Sequence, residues 1–173
     1  TDIDDTLTTD GAITPDALRA LADLKAAGLH VIPITGRPVG WSEPFARAWP
    51  VDAIVAENGS AAIISRKNGL KPLSSNDRSL LKIYQQDAPT RIANFARMQQ
   101  VAQRVLREVS GTTLARDSTG RETDIAIDHS EFAHLPPDRI AQVVAIMQRE
   151  GMNATVSSIH INGWFGEHNK LAG

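Results

Sequence analysis

Leu29-His30-Val31-Ile32-Pro33-Ile34 is a short, nearly continuous apolar run, followed at once by Thr35-Gly36-Arg37-Pro38. A run of that length and composition reads as a strand buried on both faces. Upstream, Thr14-Pro15-Asp16 supplies a capping hydroxyl, a proline suited to the first helical position and a carboxylate for the first turn. Ala17, Ala20, Leu21 and Leu24 then repeat at helical spacing, and Gly28 ends that helix in a left-handed cap. Downstream, a second helix is predicted over Ser42 to Trp49, before another apolar run, Ala53-Ile54-Val55-Ala56. Buried strands separated by helices imply parallel βαβ units.

The pattern then changes. Ala61 to Ser65 and Leu70 to Leu73 flank Lys67-Asn68-Gly69, a tight hairpin signal. Ser74-Ser75-Asn76-Asp77 is a polar linker and a boundary. Phe95, Met98, Ala102, Val105, Leu106 and Val109 make one face of a long helix that Gly111 ends. Alternating runs follow at Thr113 to Arg116 and Thr123 to Asp128, and Pro136-Pro137-Asp138 opens another helix before strands between Asn153 and Ile161. An α+β segment with an antiparallel sheet therefore interrupts an α/β segment. The division is 1–74 for the first part of the core, 75–157 for the insertion and 158–173 for the return.

Composition narrows the function classes. The chain has 173 residues, and 18 Lys plus Arg against 20 Asp plus Glu leave a net charge of −2. That balance argues against nucleic acid held by bulk electrostatics. With no cysteine, disulfide scaffolds, thiol catalysis and Cys-ligated zinc are excluded. No apolar run reaches the length of a membrane-spanning helix, no signal peptide opens the chain as given, and the expected location is the cytoplasm.

Polar residues recur at the ends of the apolar runs. Asp2 and Asp4 sit two apart, with Thr6 two further on. Two carboxylates at a strand end can hold a divalent cation through oxygen. They can also divide labour, one attacking phosphorus and the other moving protons. The same pair also fits an ordinary solvated acidic loop. Thr35-Gly36-Arg37 offers a hydroxyl and exposed backbone N–H groups that can cradle a phosphate oxygen, with Gly36 allowing close approach; it also fits a plain strand-to-helix turn. Glu57-Asn58-Gly59 has favourable turn chemistry of its own. Lys170, after Gly166-Glu167-His168-Asn169, stands out through this context alone.

The order Asp2-Ile3-Asp4-Asp5-Thr6-Leu7, Ile34-Thr35-Gly36-Arg37, Glu57-Asn58-Gly59, Asn169-Lys170 resembles the haloacid dehalogenase superfamily. More narrowly it resembles the Cof-like (IIB) subclass, which has an α/β cap inserted between its second and third motifs and includes sugar-phosphate phosphatases and phosphomannomutase. The resemblance implies a Rossmann-like core with a parallel sheet, plus an α+β cap with an antiparallel sheet. It makes Asp2 the nucleophile that forms an aspartyl-phosphate, and Asp4 the general acid/base. Asp2 and the Asp4 carbonyl would hold Mg2+, Thr35 would bind the phosphate and Lys170 would steady the shared charge. Gly36, Arg37, Asn58 and, from the cap, Arg121 are carried as substrate-binding residues. An acid at position 4 favours a phosphatase or phosphomutase over the superfamily's ATPases and dehalogenases.

The function this implies is Mg2+-dependent hydrolysis of a small phosphorylated metabolite, in the first place a sugar phosphate. A phosphomutase of the same fold and a non-catalytic phospho-metabolite binder are the alternatives. Asp5 stands where many members carry Gly. The superfamily's fourth, acidic motif is expected beyond Lys170 and a strand is expected before Asp2, so the reading is of part of a longer protein. In the insertion, Arg121 and Asp124 lie beside a strand, facing a crevice or forming a solvated hairpin charge. His160 is predicted on the strand face opposite Ile159 and Ile161, toward solvent. Trp41, Trp49 and Trp164 are predicted to pack.

Overall fold

Short strands Thr8–Thr9 (β1) and Ala12–Ile13 (β2) form an antiparallel pair directly after the Asp2 to Thr6 stretch. They open a computed structural model that describes residues 1–4, 6–9, 11–65 and 79–171. The helix expected next runs over Pro15–Ala26 (α1) for the reasons its sequence gives. The Thr14 hydroxyl accepts the Ala17 N–H at 3.4 Å, Pro15 stands at the first turn and Leu21 is buried. The following helix covers Val39–Ala48 (α2), three residues earlier than predicted. The helix begins after Pro38 and carries Pro44 inside it. Trp41, Phe45 and Trp49 stack along this segment, with ring centroids 4.5 and 4.8 Å apart.

The Leu29 to Ile34 run departs from the sequence reading. Leu29 is exposed, and beyond it Val31 and Pro33 are buried while Ile32 between them is 44% exposed, so burial alternates and one face is covered rather than two. The segment still pairs in the parallel sense with Ile54–Ala56 (β3) through an Ile34–Val55 bridge. Asp52 N–H donates to the Val31 carbonyl, Val55 N–H to Pro33 and Thr35 N–H to Val55, each at 2.9 Å. On its other side, Ile34 N–H donates to the Thr1 carbonyl at 2.7 Å. Pro33 has no N–H to give, which limits the ladder.

All the named sheets are antiparallel: β3 pairs with Ala61–Ser65 (β4), which pairs with Leu80–Tyr84 (β5). Among the described residues, the parallel sheet of the sequence reading is represented only by the Ile34–Val55 ladder. The core here gathers Ile3, Leu21, Val31, Val39, Ile54 and Ile63. Asp5, the Lys67-Asn68-Gly69 turn, the Leu70 to Leu73 run and the Ser74 to Asp77 linker with its 74/75 boundary lie outside the described residues.

The chain divides into two compact units, Thr1–Gln85 with His168–Gly173, and Gln86–Glu167. The second unit begins with the long helix Ala88–Glu108 (α3), capped by the Asp87 carboxylate. It continues through Thr113–Leu114 (β6), Ile125–Asp128 (β7), helix Pro137–Arg149 (α4), Asn153–Val156 (β8) and His160–Trp164 (β9). The sheet order is β6-β7-β9-β8, all antiparallel. Because β9 pairs with both β7 and β8, the segment expected to end at 157 extends to Glu167.

Ile127 and Ile161 face each other across that sheet and join Met98, Val105, Val143 and Met147 of the two helices in one core. The opposite sheet face carries Asp128 across from His160, and Ala126 across from Asn162. His160 is only 3% exposed and its Nε2 lies 2.9 Å from Glu131 Oε2. The alternation assigned it to the right face; that face is buried, and Glu131 supplies the partner burial demands.

Candidate active site

Three chain segments place their C-terminal ends together in the first unit. Residues 1–3 and 31–35 are joined through Thr1, and 31–35 and β3 through the parallel ladder. Asp2 and Asp4, Thr35 to Arg37, and Glu57 to Gly59 follow directly from these segments. That is where open α/β folds put their ligand sites.

Lys170 comes to the same place from the far end of the sequence. Its Nζ donates to both Asp2 carboxylate oxygens, at 3.1 and 3.2 Å. Asp2 also accepts the Ile3 N–H at 3.0 Å, and its side chain is 45% exposed, open to a reactant. Asp4 is held differently. Arg37 Nε donates to its two oxygens at 3.1 and 3.3 Å, and a terminal Arg37 nitrogen lies 3.1 Å from Oδ1. The Thr35 hydroxyl reaches Asp4 Oδ2 at 3.5 Å and accepts the Arg37 N–H at 3.0 Å. Thr35 is fully buried.

The turn after β3 shapes the floor. Glu57 and Asn58 have φ of 47° and 58°, and Gly59 has 103°. Asn58 N–H donates to the Thr35 carbonyl and Glu57 N–H to the Arg37 carbonyl, both at 3.1 Å. The site therefore rests on backbone bonds between two loops. A Cβ on Gly36 would come 3.0 Å from Asn58 Oδ1, so the two loops pack closely at this point.

Glu57 is a residue the sequence reading passed over. It is fully buried, and its Oε1 accepts the Val39 N–H at 2.9 Å, anchoring the start of α2. Its signal was the acid at the head of Glu57-Asn58-Gly59, which reads equally well as plain turn chemistry.

The donor set suits a hard cation. The Asp2 carboxylate and the Asp4 carbonyl are oxygen donors of the kind Mg2+ takes, and Mg2+ keeps several waters. Among the described residues no group of three or more His, Cys, Asp or Glu forms a metal centre.

Arg121, in the second unit, is not a solvated hairpin charge. Its side chain is 2% exposed and lies between two carboxylates, Asp124 Oδ1 at 2.7 Å and Asp117 Oδ1 at 3.1 Å. Burial pushes the Asp124 carboxyl above its ordinary range, opposed by the Arg121 guanidinium and by Asn162, which donates at 3.2 Å. A cavity of about 350 Å3 alongside is lined by Arg121 and Asp124 with Phe95, Gln99, Leu114 and Ile125. Nearby in sequence, Asp128 accepts the backbone N–H groups of Ser130, Glu131, Phe132 and Ala133 at 2.9–3.1 Å. Burial alone would raise that carboxyl; these donors hold it below the ordinary range.

A family model described as haloacid dehalogenase-like hydrolase matches residues 1–85. No curated protein matches the chain. Among solved structures, a trehalose-6-phosphate phosphatase related protein is similar at 16% identity with a TM-score of 0.63, over 99% of this chain and 69% of that one. The Synechocystis sucrose-phosphatase, in complex with sucrose and phosphate, gives 14% and 0.63, over 99% and 64%. Plasmodium falciparum IMP-nucleotidase gives 10% and 0.61, over 99% and 48%. At such identities the likeness establishes the fold, and the chain spans 48–69% of the length of these structures. No helix among the described residues is long and apolar enough to cross a membrane. Residues 1–85 match the haloacid dehalogenase-like hydrolases, and the chain shares the fold of these phosphatase structures.

Proposed function

We propose that this chain carries the active site of a phosphatase for a small phosphorylated metabolite, foremost a sugar phosphate. The observation that carries the proposal is the Lys170 ammonium on both oxygens of Asp2, across 168 positions of sequence. A binding module has no need of a carboxylate so placed. A nucleophile that must approach a phosphoryl dianion does, because positioning and charge neutralisation supply most of phosphoryl-transfer catalysis.

In this reading an Asp2 oxygen attacks phosphorus, the ester P–O bond breaks, and Asp4 delivers a proton to the departing alkoxide oxygen. Water then attacks the phosphorus of the aspartyl-phosphate while Asp4 takes up its proton. The bond from phosphorus to Asp2 breaks and phosphate leaves. Thr35 and the N–H groups around Gly36 and Asn58 hold the phosphoryl oxygens. Mg2+, held by Asp2 and the Asp4 carbonyl, supplies further charge neutralisation when bound.

Residues 1–85 with 168–173 act as the core, Rossmann-like, with the Ile34–Val55 pairing as its parallel part. Residues 86–167 act as the cap that selects the substrate. The Arg121 charge is already shared with Asp117 and Asp124, so the cap is better suited to sugar hydroxyls than to a second anion. The location that goes with this reading is the cytoplasm. Support comes from the four motifs, the family match and the trehalose- and sucrose-phosphate phosphatase folds. The test is phosphate release from an aryl phosphate with and without Mg2+, comparing the protein with Asp2→Asn. Turnover that needs both Mg2+ and Asp2 is expected; Mg2+-dependent turnover by Asp2→Asn would overturn the proposal.

A further inference from the structure

We infer that Arg37 exchanges partners during the reaction, holding Asp4 as the structure shows and passing to the phosphoryl group when a phosphate ester binds. The inference rests on the phosphatase reading and assigns Arg37 a positioning role within it.

Two nitrogens of Arg37 take both oxygens of Asp4, at 3.1 to 3.3 Å. The fork orients the Asp4 carboxylate on Arg37, and turning an oxygen toward a leaving group requires that grip to loosen. Arg37 has a natural second partner, since a guanidinium fork matches phosphate as well as it matches carboxylate. The phosphoryl group must come to Asp2, two residues from Asp4.

The surroundings permit the move. The Arg37 side chain is 19% exposed, so it borders solvent rather than being sealed in. Its backbone is pinned at both ends of the residue, N–H to the Thr35 hydroxyl and carbonyl to Glu57 N–H, which leaves the motion to the side chain. The guanidinium carbon lies 5.4 Å from the centre of the Trp41 ring, a surface over which a cation can shift at little cost. Asp2, Asp4, Arg37 and Lys170 also sum to zero formal charge. An arriving phosphate therefore meets two cations already engaged, so any contact it gains from Arg37 comes at the expense of the Arg37 contact with Asp4.

The experiment is a double-mutant cycle read by calorimetry, titrating inorganic phosphate into the protein in metal-free buffer. Arg37→Ala is expected to weaken phosphate binding about tenfold, the worth of one charged hydrogen-bonding partner. Asp4→Asn is expected to tighten binding about fivefold when Arg37 is present and less than about twofold in the Arg37→Ala background. Trp41 fluorescence should change on phosphate binding, and should not change in Arg37→Ala.

Equal tightening by Asp4→Asn in both backgrounds would mean simple repulsion between Asp4 and phosphate, and would overturn the exchange while leaving the phosphatase reading intact. No phosphate binding by any of the four proteins would overturn the exchange, while the phosphatase reading stands or falls separately on Mg2+- and Asp2-dependent turnover. If circular dichroism shows Arg37→Ala misfolded, Arg37→Gln takes its place in the cycle with the same expected outcomes. Arg37→Lys, which keeps the charge but loses the fork, should restore part of the affinity.

Discussion

A Cβ on Gly59 would lie 2.2 Å from the carbonyl oxygen of Asn169 and 2.7 Å from its carbonyl carbon. No side chain fits there, so the turn after β3 and the segment leading to Lys170 are in direct backbone contact. The Asn169 side chain in turn accepts the Leu171 N–H at 2.9 Å, shaping the turn that presents Lys170. The pairing of Lys170 with Asp2 depends on that close approach as much as on the lysine itself.

Gly59→Ala should therefore damage both stability and catalysis. The residue's φ of 103° strains any side chain, and the new methyl meets backbone that cannot swing aside. A loss of roughly 1–3 kcal/mol in urea unfolding is expected, together with lower turnover as Lys170 is displaced. Wild-type stability in the variant would show that the segment moves freely.

Lys170→Met should separate catalysis from folding. Both members of the Lys170–Asp2 pair are close to half exposed, 44% and 45%. Unfolding free energy should change by less than about 0.5 kcal/mol. Turnover of a phosphate ester should fall by about 10² to 10³, the usual cost of removing one preorganised electrostatic group. Steady-state kinetics beside a denaturation curve checks both halves.

Arg121→Met should act first through stability. It strands Asp124, which is fully buried, and removing one member of a buried ion pair costs about 3–5 kcal/mol. Adding Asp124→Asn should recover much of the loss, because the uncompensated charge is gone. A shifted KM at unchanged stability would instead make Arg121 a direct substrate contact.

These residues also show what the sequence could and could not reveal. The helix after Thr14 was legible because its cap, its proline and its apolar stripe are all local. The nearness of Asp2, Asp4 and Thr35 was legible because polar residues at the ends of apolar runs share one edge in α/β folds. The Arg37–Asp4 clamp was not, since nothing in the spacing of 33 residues says which of several cations reaches Asp4. The Leu29 to Ile34 run misled because apolar composition reports what a segment can bury, not what lies against it. His160 misled in the opposite way: alternation gave its face, but Glu131 makes that face buriable. The end of the second unit was misplaced because β9 is claimed by two partners distant in sequence, β7 and β8.

Acid should weaken the first unit through His168. Burial pushes its imidazole below the ordinary histidine range, so the folded protein keeps it neutral where the unfolded chain takes up a proton. The stability this contributes is intact above the unfolded pKa, about 6.5, and is lost progressively as pH falls from there toward the lower folded value. Unfolding free energies at pH 7.5 and 5.5 should show a drop that is smaller in His168→Gln. The same drop in the variant would assign the acid sensitivity elsewhere.

The most direct test of the central claim is to look for phosphate on Asp2 itself. The protein would be mixed with an aryl phosphate and Mg2+, quenched in acid within the first turnover, and its peptides mapped by mass spectrometry. The expected result is a phosphoryl adduct on the peptide containing Asp2, absent from Asp2→Asn and accumulating in Asp4→Asn, where water is no longer activated. Turnover with no adduct on Asp2 at any quench time, or an adduct on another residue, would contradict the account.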